Sequence, residues 1–99
     1  MSLSLKQVGN PTTINMTLTS MNTEYSVSLG QYVKKFLLQG RGTDDIKIAF
    51  EVGKSGTEYF TLKGSSVYFE DFVHGPITLY MQSPANNVVI EIVAWTARD

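Results

Sequence analysis

The last quarter of the chain carries the pattern that most restricts its fold. Residues 77–82 alternate apolar with polar or aromatic side chains, and residues 88–95 alternate again after a Ser-Pro-Ala-Asn-Asn turn. A period of two, in runs rich in β-branched and aromatic residues, predicts β-strands. Proline and asparagine in the intervening turn suit backbone positions of fixed or positive φ. The two runs therefore predict an antiparallel hairpin.

The final run is apolar on both of its faces. One face carries four aliphatic side chains: Val88, Ile90, Ile92 and Ala94. The opposite face carries Val89, Glu91, Val93 and Trp95. A strand that is apolar on both faces is typical of the interior of a sheet that is covered on both sides. We therefore expect this hairpin to supply central strands of the core.

Six earlier runs resemble strands, at residues 13–19, 24–29, 32–39, 46–52, 59–63 and 67–70. In the run 46–52 the alternation predicts four inward side chains: Ile46, Ile48, Phe50 and Val52. Eight short strands separated by Gly-, Ser- and Asn-rich turns predict an all-β protein, an antiparallel β-sandwich with jelly-roll-like or Greek-key connections. The polar residues 1–12 are interpreted as an N-terminal arm ahead of one domain, 13–99.

Composition excludes several classes of function. The 99 residues include 8 basic and 9 acidic side chains, a net charge of −1, and no cysteine. The even charge does not favour a nucleic-acid ligand, since phosphate neutralisation requires a basic surface. Thiolate metal sites and cysteine nucleophiles are excluded. No apolar run has the ~20 residues of a membrane span, and the first residues lack the apolar region of a signal peptide, so we expect a soluble protein without a membrane partner.

The residues that could carry chemistry are better explained as structure. His74 has no second histidine or cysteine nearby in sequence, so it predicts a surface loop rather than a metal or catalytic site. The acidic pair at 44–45 lacks the alternating spacing of a calcium loop. Glu70 and Asp71 are adjacent in a strand and would point to opposite faces, which does not suit a glycosidase pair. We therefore expect neither an enzyme nor a cofactor.

Aromatic side chains are the remaining candidates for a site. Exposed tyrosines interleaved with Asn and Gln are typical of sugar-binding sandwiches and of protein interfaces, although a small sandwich also needs such bulk in its core. Tyr59, Tyr68 and Tyr80 are the candidate interface residues, and Tyr80 in particular is expected to project from the core. Arg41, in the Gly- and Asp-rich loop after the third run, completes the set.

The order of motifs resembles small single-domain β-sandwich virion proteins of tailed bacteriophages. It begins with Thr-Ile-x-Met-Thr-Leu at 13–18, Phe-Leu-Leu-Gln at 36–39 and Ile-Lys-Ile-Ala-Phe-Glu-Val at 46–52. Tyr-Phe-Thr-Leu-Lys-Gly at 59–64 and Val-Tyr-Phe-Glu-Asp at 67–71 follow. The closing runs, Ile-Thr-Leu-Tyr-Met-Gln-Ser at 77–83 and Val-Val-Ile-Glu-Ile-Val-Ala-Trp at 88–95, resemble the group most. The resemblance covers residues 13–95 and is structural, because it transfers no functional residues.

The resemblance implies a structural virion protein that is assembled in the host cytoplasm. We expect a capsid decoration or cement protein that binds the major capsid protein or other virion proteins as a homo-oligomer, with a trimer suggested by analogy. The arm at residues 1–12 would then order against a neighbouring subunit. Two alternatives stay open, a carbohydrate-binding sandwich and a neck or fibre-adaptor protein of the virion.

Overall fold

The structure is a computed structural model that describes residues 11–71 and 73–97. Eight strands account for its regular structure: β1 (Pro11–Leu18), β2 (Tyr25–Gly30), β3 (Val33–Gly40), β4 (Ile46–Ala49), β5 (Phe60–Leu62), β6 (Val67–Glu70), β7 (Ile77–Gln82) and β8 (Val88–Thr96). The described residues contain no helix, and so none that could cross a membrane. Strand β1 includes the last two residues of the predicted arm, and residues 1–10 of that arm lie outside the described part.

The strands form two four-stranded antiparallel sheets. The first sheet has the order β1-β8-β3-β6 and the second the order β2-β7-β4-β5. Neighbours in a sheet are mostly distant in sequence, because every connection except the one from β4 to β5 crosses from one sheet to the other. The predicted hairpin between β7 and β8 was therefore wrong, since these two strands lie in different sheets and do not pair. This order is the jelly-roll arrangement of two interlocking Greek keys. The predicted antiparallel β-sandwich with jelly-roll connections is therefore confirmed.

The core lies between the two sheets and is built from alternate residues of the strands. Strand β8 contributes the face predicted to be buried, and the facing strand β7 contributes Leu79 and Met81, both fully buried. Phe36 and Leu38 of β3 are also fully buried. The local alternation thus predicted which face of each of these strands enters the core, because a residue's neighbours two positions away share its face.

The prediction for residues 50 and 52 was wrong. Strand β4 ends at Ala49, and the side chains of Phe50 and Val52 are 45% and 72% exposed. The chain leaves the sheet here because the carboxylate of Glu24 accepts hydrogen bonds from the amides of Gly53 and Ser55, at 2.8 and 3.0 Å. These bonds hold the loop after β4 against the start of β2. The alternation of apolar and polar residues in 46–52 therefore extends three residues past the end of the strand.

The prediction that β8 is covered on both faces was also wrong for the described residues. The strand is interior to its sheet, since it pairs with β1 on one side and β3 on the other. Its inner face is buried, whereas Val89, Val93 and Trp95 on the outer face are only half-buried. No second layer of the described chain packs on that side, so the sandwich presents an apolar outer face.

Candidate functional site

Strand β6 turns its more apolar face outward and its more polar face towards the core, the reverse of what is expected for a strand of a sandwich. Its outward residues Val67 and Phe69 are 54% and 48% exposed, whereas Tyr68 and Glu70 face inward. The register fixes this orientation, because Leu38, a core residue of β3, pairs with Tyr68, and Leu37 pairs with Phe69. A slip by one residue would exchange the two faces. The register therefore places two apolar side chains on the outer surface.

These side chains join the outer face of β8 to form a continuous apolar surface. Leu37 is paired with Phe69 on one side and with Val93 on the other, so the three side chains form one row across three strands. The ring of Trp95 meets the ring of Phe69 edge to face, with 6.3 Å between ring centres. We call the set Leu37, Val67, Phe69, Val93 and Trp95 the outer patch.

Charged and polar groups border the outer patch. At one end Arg41 Nε donates to Glu91 Oε2 at 2.8 Å, and Gln39 Nε2 donates to Glu91 Oε1 at 2.9 Å. The bond from Arg41, and secondarily that from Gln39, lowers the pKa of Glu91 below its ordinary value, although desolvation opposes this. At the other end Lys35 Nζ lies 5.1 Å from the ring centre of Trp95. An apolar centre with a polar rim, rich in aromatic residues and arginine, is typical of protein interfaces.

The structure distributes the four candidate interface residues over three places. Arg41 lies at the rim of the outer patch. Tyr68 lies on the inner face of β6, where its ring packs against Phe60 with 4.7 Å between ring centres. Tyr80 lies on the outer face of the second sheet, opposite Ala49 of β4, and is half-buried. The interface role of each of these residues stays a prediction, but they do not share one surface.

Tyr59 accompanies Tyr80 on the second sheet. Its ring is 39% exposed and lies 5.0 Å from Lys47 Nζ, and Lys47 pairs with Gln82 on the outer side of β4 and β7. The ammonium group stabilises the ring by a cation–π contact and also occupies one of its faces. A flat ligand could stack on that face of Tyr59 only after Lys47 moved.

The described residues hold no constellation that suits metal binding. No group of three or more His, Asp or Glu side chains in the described ranges is placed to hold a metal ion. Asp45 instead accepts a hydrogen bond from the amide of Gly64 at 2.8 Å, and its second oxygen lies 3.5 Å from Lys63 Nζ. Asp45 therefore fastens two loops together.

Sequence reasoning did not find the outer patch. It chose Tyr68 rather than Phe69 as the interface candidate of β6, and it treated the outer face of β8 as covered. The sequence did contain a signal. In a strand, Val67 and Phe69 share one face, whereas Tyr68 and Glu70, which both carry polar groups, share the other. Only the register against β3 shows which of these faces is inside.

Comparison with known proteins supports the fold but shows no family. No family model matches the sequence, and no curated relative matches it either. Among solved structures, the chain is similar to a de novo designed double-stranded β-helix, with a TM-score of 0.51 and 15% sequence identity. The match covers 87% of this chain and 97% of the designed one. At this identity the likeness concerns the fold alone, and the class that it defines is the small double-stranded β-helix, or jelly roll.

Proposed function

We propose that this chain is a structural interaction module that assembles through the outer patch. The observation that carries the proposal is the apolar outer face of β8 and β6, which leaves Val67 and Phe69 about half exposed. An exposed apolar surface with a polar rim is a recurring mark of protein interaction sites. Burying this surface in a contact would stabilise the contact by about 25 cal/mol for each Å² of apolar area removed from water.

We propose a second copy of the chain as the first partner. A sheet surface with an apolar centre is able to pair with its own copy related by a two-fold axis, because the same apolar side chains then meet across the contact, while Glu91 at the rim is already paired with Arg41. The same surface on three copies around an axis would serve the trimer suggested by analogy.

The biological setting of the proposal is the virion of a tailed bacteriophage. This part rests on the resemblance in the sequence, and the jelly roll is an architecture frequent in viral capsid domains. A decoration or cement protein stabilises a shell because each copy adds a modest contact that symmetry multiplies. The neck or fibre-adaptor role uses the same kind of surface, so it remains the neighbouring alternative.

The test is the mass of the protein in solution, measured by light scattering behind a sizing column. We expect the wild-type chain to be oligomeric at micromolar concentration and Phe69→Gln to dissociate it. Val52→Gln is the matched control, since Val52 is a 72% exposed apolar residue away from the outer patch. A wild-type monomer, or equal dissociation by both variants, would argue against assembly through the outer patch.

A carbohydrate-binding role is the second candidate. It is favoured by Tyr59 and Tyr80, which lie on the outer face of the second sheet near Gln82. Tyrosine rings beside an amide suit a sugar ring, which presents both C–H and O–H groups. Binding to a glycan array that disappears on Tyr80→Ala would support this role, and an array without any signal would exclude it for the sugars present.

A further inference from the structure

A cavity of about 240 Å³ opens between the sheets at the end where β4 stops and β7 begins. It exists because the chain turns away after Ala49, so sheet cover is missing above the inner face of β6. Its described lining consists of Phe36, Phe50, Tyr68, Glu70, Val73, His74 and Ile77. Apolar cavities of about 150 Å³ already admit a benzene-sized molecule, so this one has room for a small ligand.

Aromatic rings form much of the cavity wall. The ring of Tyr68 lies 6.2 Å from that of Phe36 at the buried side and 4.7 Å from that of Phe60. Phe50 stacks on Phe60 at 6.2 Å and stands at the exposed rim. The faces of such rings carry negative electrostatic potential, so they attract cations as well as apolar groups.

A carboxylate on the inner face of β6 gives the cavity its charge. Glu70 lines the cavity and is half-buried, and its Oε1 accepts a hydrogen bond of 2.8 Å from the hydroxyl of Tyr68. Tyr68 uses its one donor in this bond, which orients the carboxylate. Among the lining residues that the structure describes there is no lysine or arginine. An ionised carboxylate only accepts hydrogen bonds, so a complementary ligand must bring a donor or a positive charge.

We propose that this cavity binds a small organic ammonium ion. The apolar body of the ligand would contact Phe36, Val73 and Ile77, and its ammonium group would lie between the aromatic rings and the carboxylate of Glu70. The site lies on the inner side of β6, opposite to the outer patch, so it is independent of the proposed assembly. Benzylamine fits this chemistry, as does the side chain of a lysine from another protein.

The experiment is a titration of the methyl and amide NMR signals of the full chain with benzylamine. We expect saturable shifts confined to the cavity, including the methyl groups of Val73 and Ile77. Benzyl alcohol, which has the same shape without the charge, is expected to bind at least about tenfold more weakly, and benzoate should not bind. Benzoate or benzyl alcohol binding as tightly as benzylamine, or no shifts with millimolar benzylamine, would overturn the proposal.

Two variants distinguish the contribution of the carboxylate to benzylamine binding from that of the aromatic rings. Glu70→Gln keeps the size of the side chain and an acceptor for the Tyr68 hydroxyl, so the variant should fold, and we expect it to lose at least about tenfold in benzylamine affinity. Phe50→Leu removes an aromatic face at the exposed rim and should weaken benzylamine more than benzyl alcohol. Glu51→Gln, an exposed carboxylate outside the cavity lining, is the matched control. Equal affinity of Glu70→Gln and the wild type would refute the assignment.

A second ligand distinguishes a free amine from a protein side chain. Nα-acetyl-lysine methylamide carries the ammonium group on a lysine stem. Shifts at the same signals with comparable affinity would identify lysine side chains as ligands, whereas binding of benzylamine alone would restrict the cavity to free amines. Either result supports an ammonium site, and Phe69→Gln should alter neither, because Phe69 lies on the outer side of β6.

Discussion

Gly64 shows how a single residue holds two loops of this sandwich together. A Cβ atom at this position would lie 1.8 Å from the carbonyl oxygen of Thr43, so the two backbones touch where only a hydrogen atom fits. The close approach lets Asp45 accept the amide of Gly64, while the hydroxyl of Ser83 donates to the carbonyl of Asp45 at 2.9 Å. The β3–β4 loop is therefore tied to two other turns.

We expect Gly64→Ala to lower the free energy of unfolding by more than about 2 kcal/mol, because the added methyl group must push backbone atoms apart. Gly42→Ala is the matched control in the same region, since a Cβ atom there would meet nothing within 4 Å. Its effect should stay within about 0.5 kcal/mol. Urea unfolding of the wild type, Gly64→Ala and Gly42→Ala measures both changes in stability. Unfolding curves of Gly64→Ala and the wild type that coincide would contradict the close approach of the two backbones.

Glu24 fixes the course of the chain after β4. Its carboxylate accepts hydrogen bonds from the amides of Gly53 and Ser55 and from the hydroxyl of Ser55, a fully buried residue. The hydroxyl bond, followed by the amide bonds, holds the pKa of Glu24 below its ordinary value of 4.5, although desolvation opposes this. A lowered pKa in the folded state means that the ionised form favours folding.

The stability from Glu24 should therefore be fully present above about pH 5 and be lost as the pH falls through its folded-state pKa. We expect Glu24→Gln to be less stable than the wild type by about 1–2 kcal/mol at pH 7, since an amide group cannot accept all three bonds. The difference should narrow towards pH 3. Unfolding free energies measured between pH 7 and 3 test this, and a difference independent of pH would refute it.

At the scale of the strands, position within a sheet decides how firmly each one is held. Strand β8 is hydrogen-bonded to β1 and β3 along most of its length, whereas β5 has three residues and, among the described strands, pairs with β4 alone. In an edge strand, alternate amides point away from the sheet. The same pairing sets the polarity of β6, which could enter the core by either face until β3 fixes its register.

We expect amide hydrogen exchange to follow this order. The amides of Ile90 to Ile92 in β8 should exchange most slowly, at rates that approach global unfolding, and those of β5 and β6 at least about tenfold faster. The measurement is hydrogen exchange followed by NMR on the full chain. Equal protection of β5 and β8 would show that the edge strands gain further hydrogen bonds, for example from a neighbouring copy.

For the molecule as a whole, the jelly-roll order gives each sheet a distinct outer surface. The first sheet presents the outer patch, and the second presents Tyr59 and Tyr80 with polar neighbours such as Ser26. The proposed assembly would bury the more apolar of the two. Such a contact depends on apolar area rather than on the pair of Arg41 and Glu91, because an exposed ion pair adds little stability in water.

The oligomer should therefore persist when the salt concentration rises from 0.1 to 1 M. The Debye length falls from about 10 to about 3 Å over this range, which screens exposed charges but leaves apolar burial intact. Arg41→Gln should change the solution mass less than Phe69→Gln does. Dissociation by salt, measured by light scattering, would instead assign the contact to Arg41 and Lys35 at the rim.

Local sequence pattern by itself determined the number of strands, their approximate bounds and the inner face of β8 and β7. It could do so because alternation reports which residues share a face, and this depends only on the chain within a few residues. The all-β class was predictable for the same reason, since turns recur at short intervals. The local pattern also predicted a hairpin of β7 and β8, which was wrong because the partners of a strand are set by distant parts of the chain.

Only the tertiary structure decided which apolar faces stay open. Phe50 leaves the core because Glu24, 26 positions earlier, draws the following loop aside, and Phe69 turns outward because β3 sets the register of β6. The outer patch and the cavity both result from these two contacts. Each is a relation between residues distant in the chain, so no local pattern specifies it.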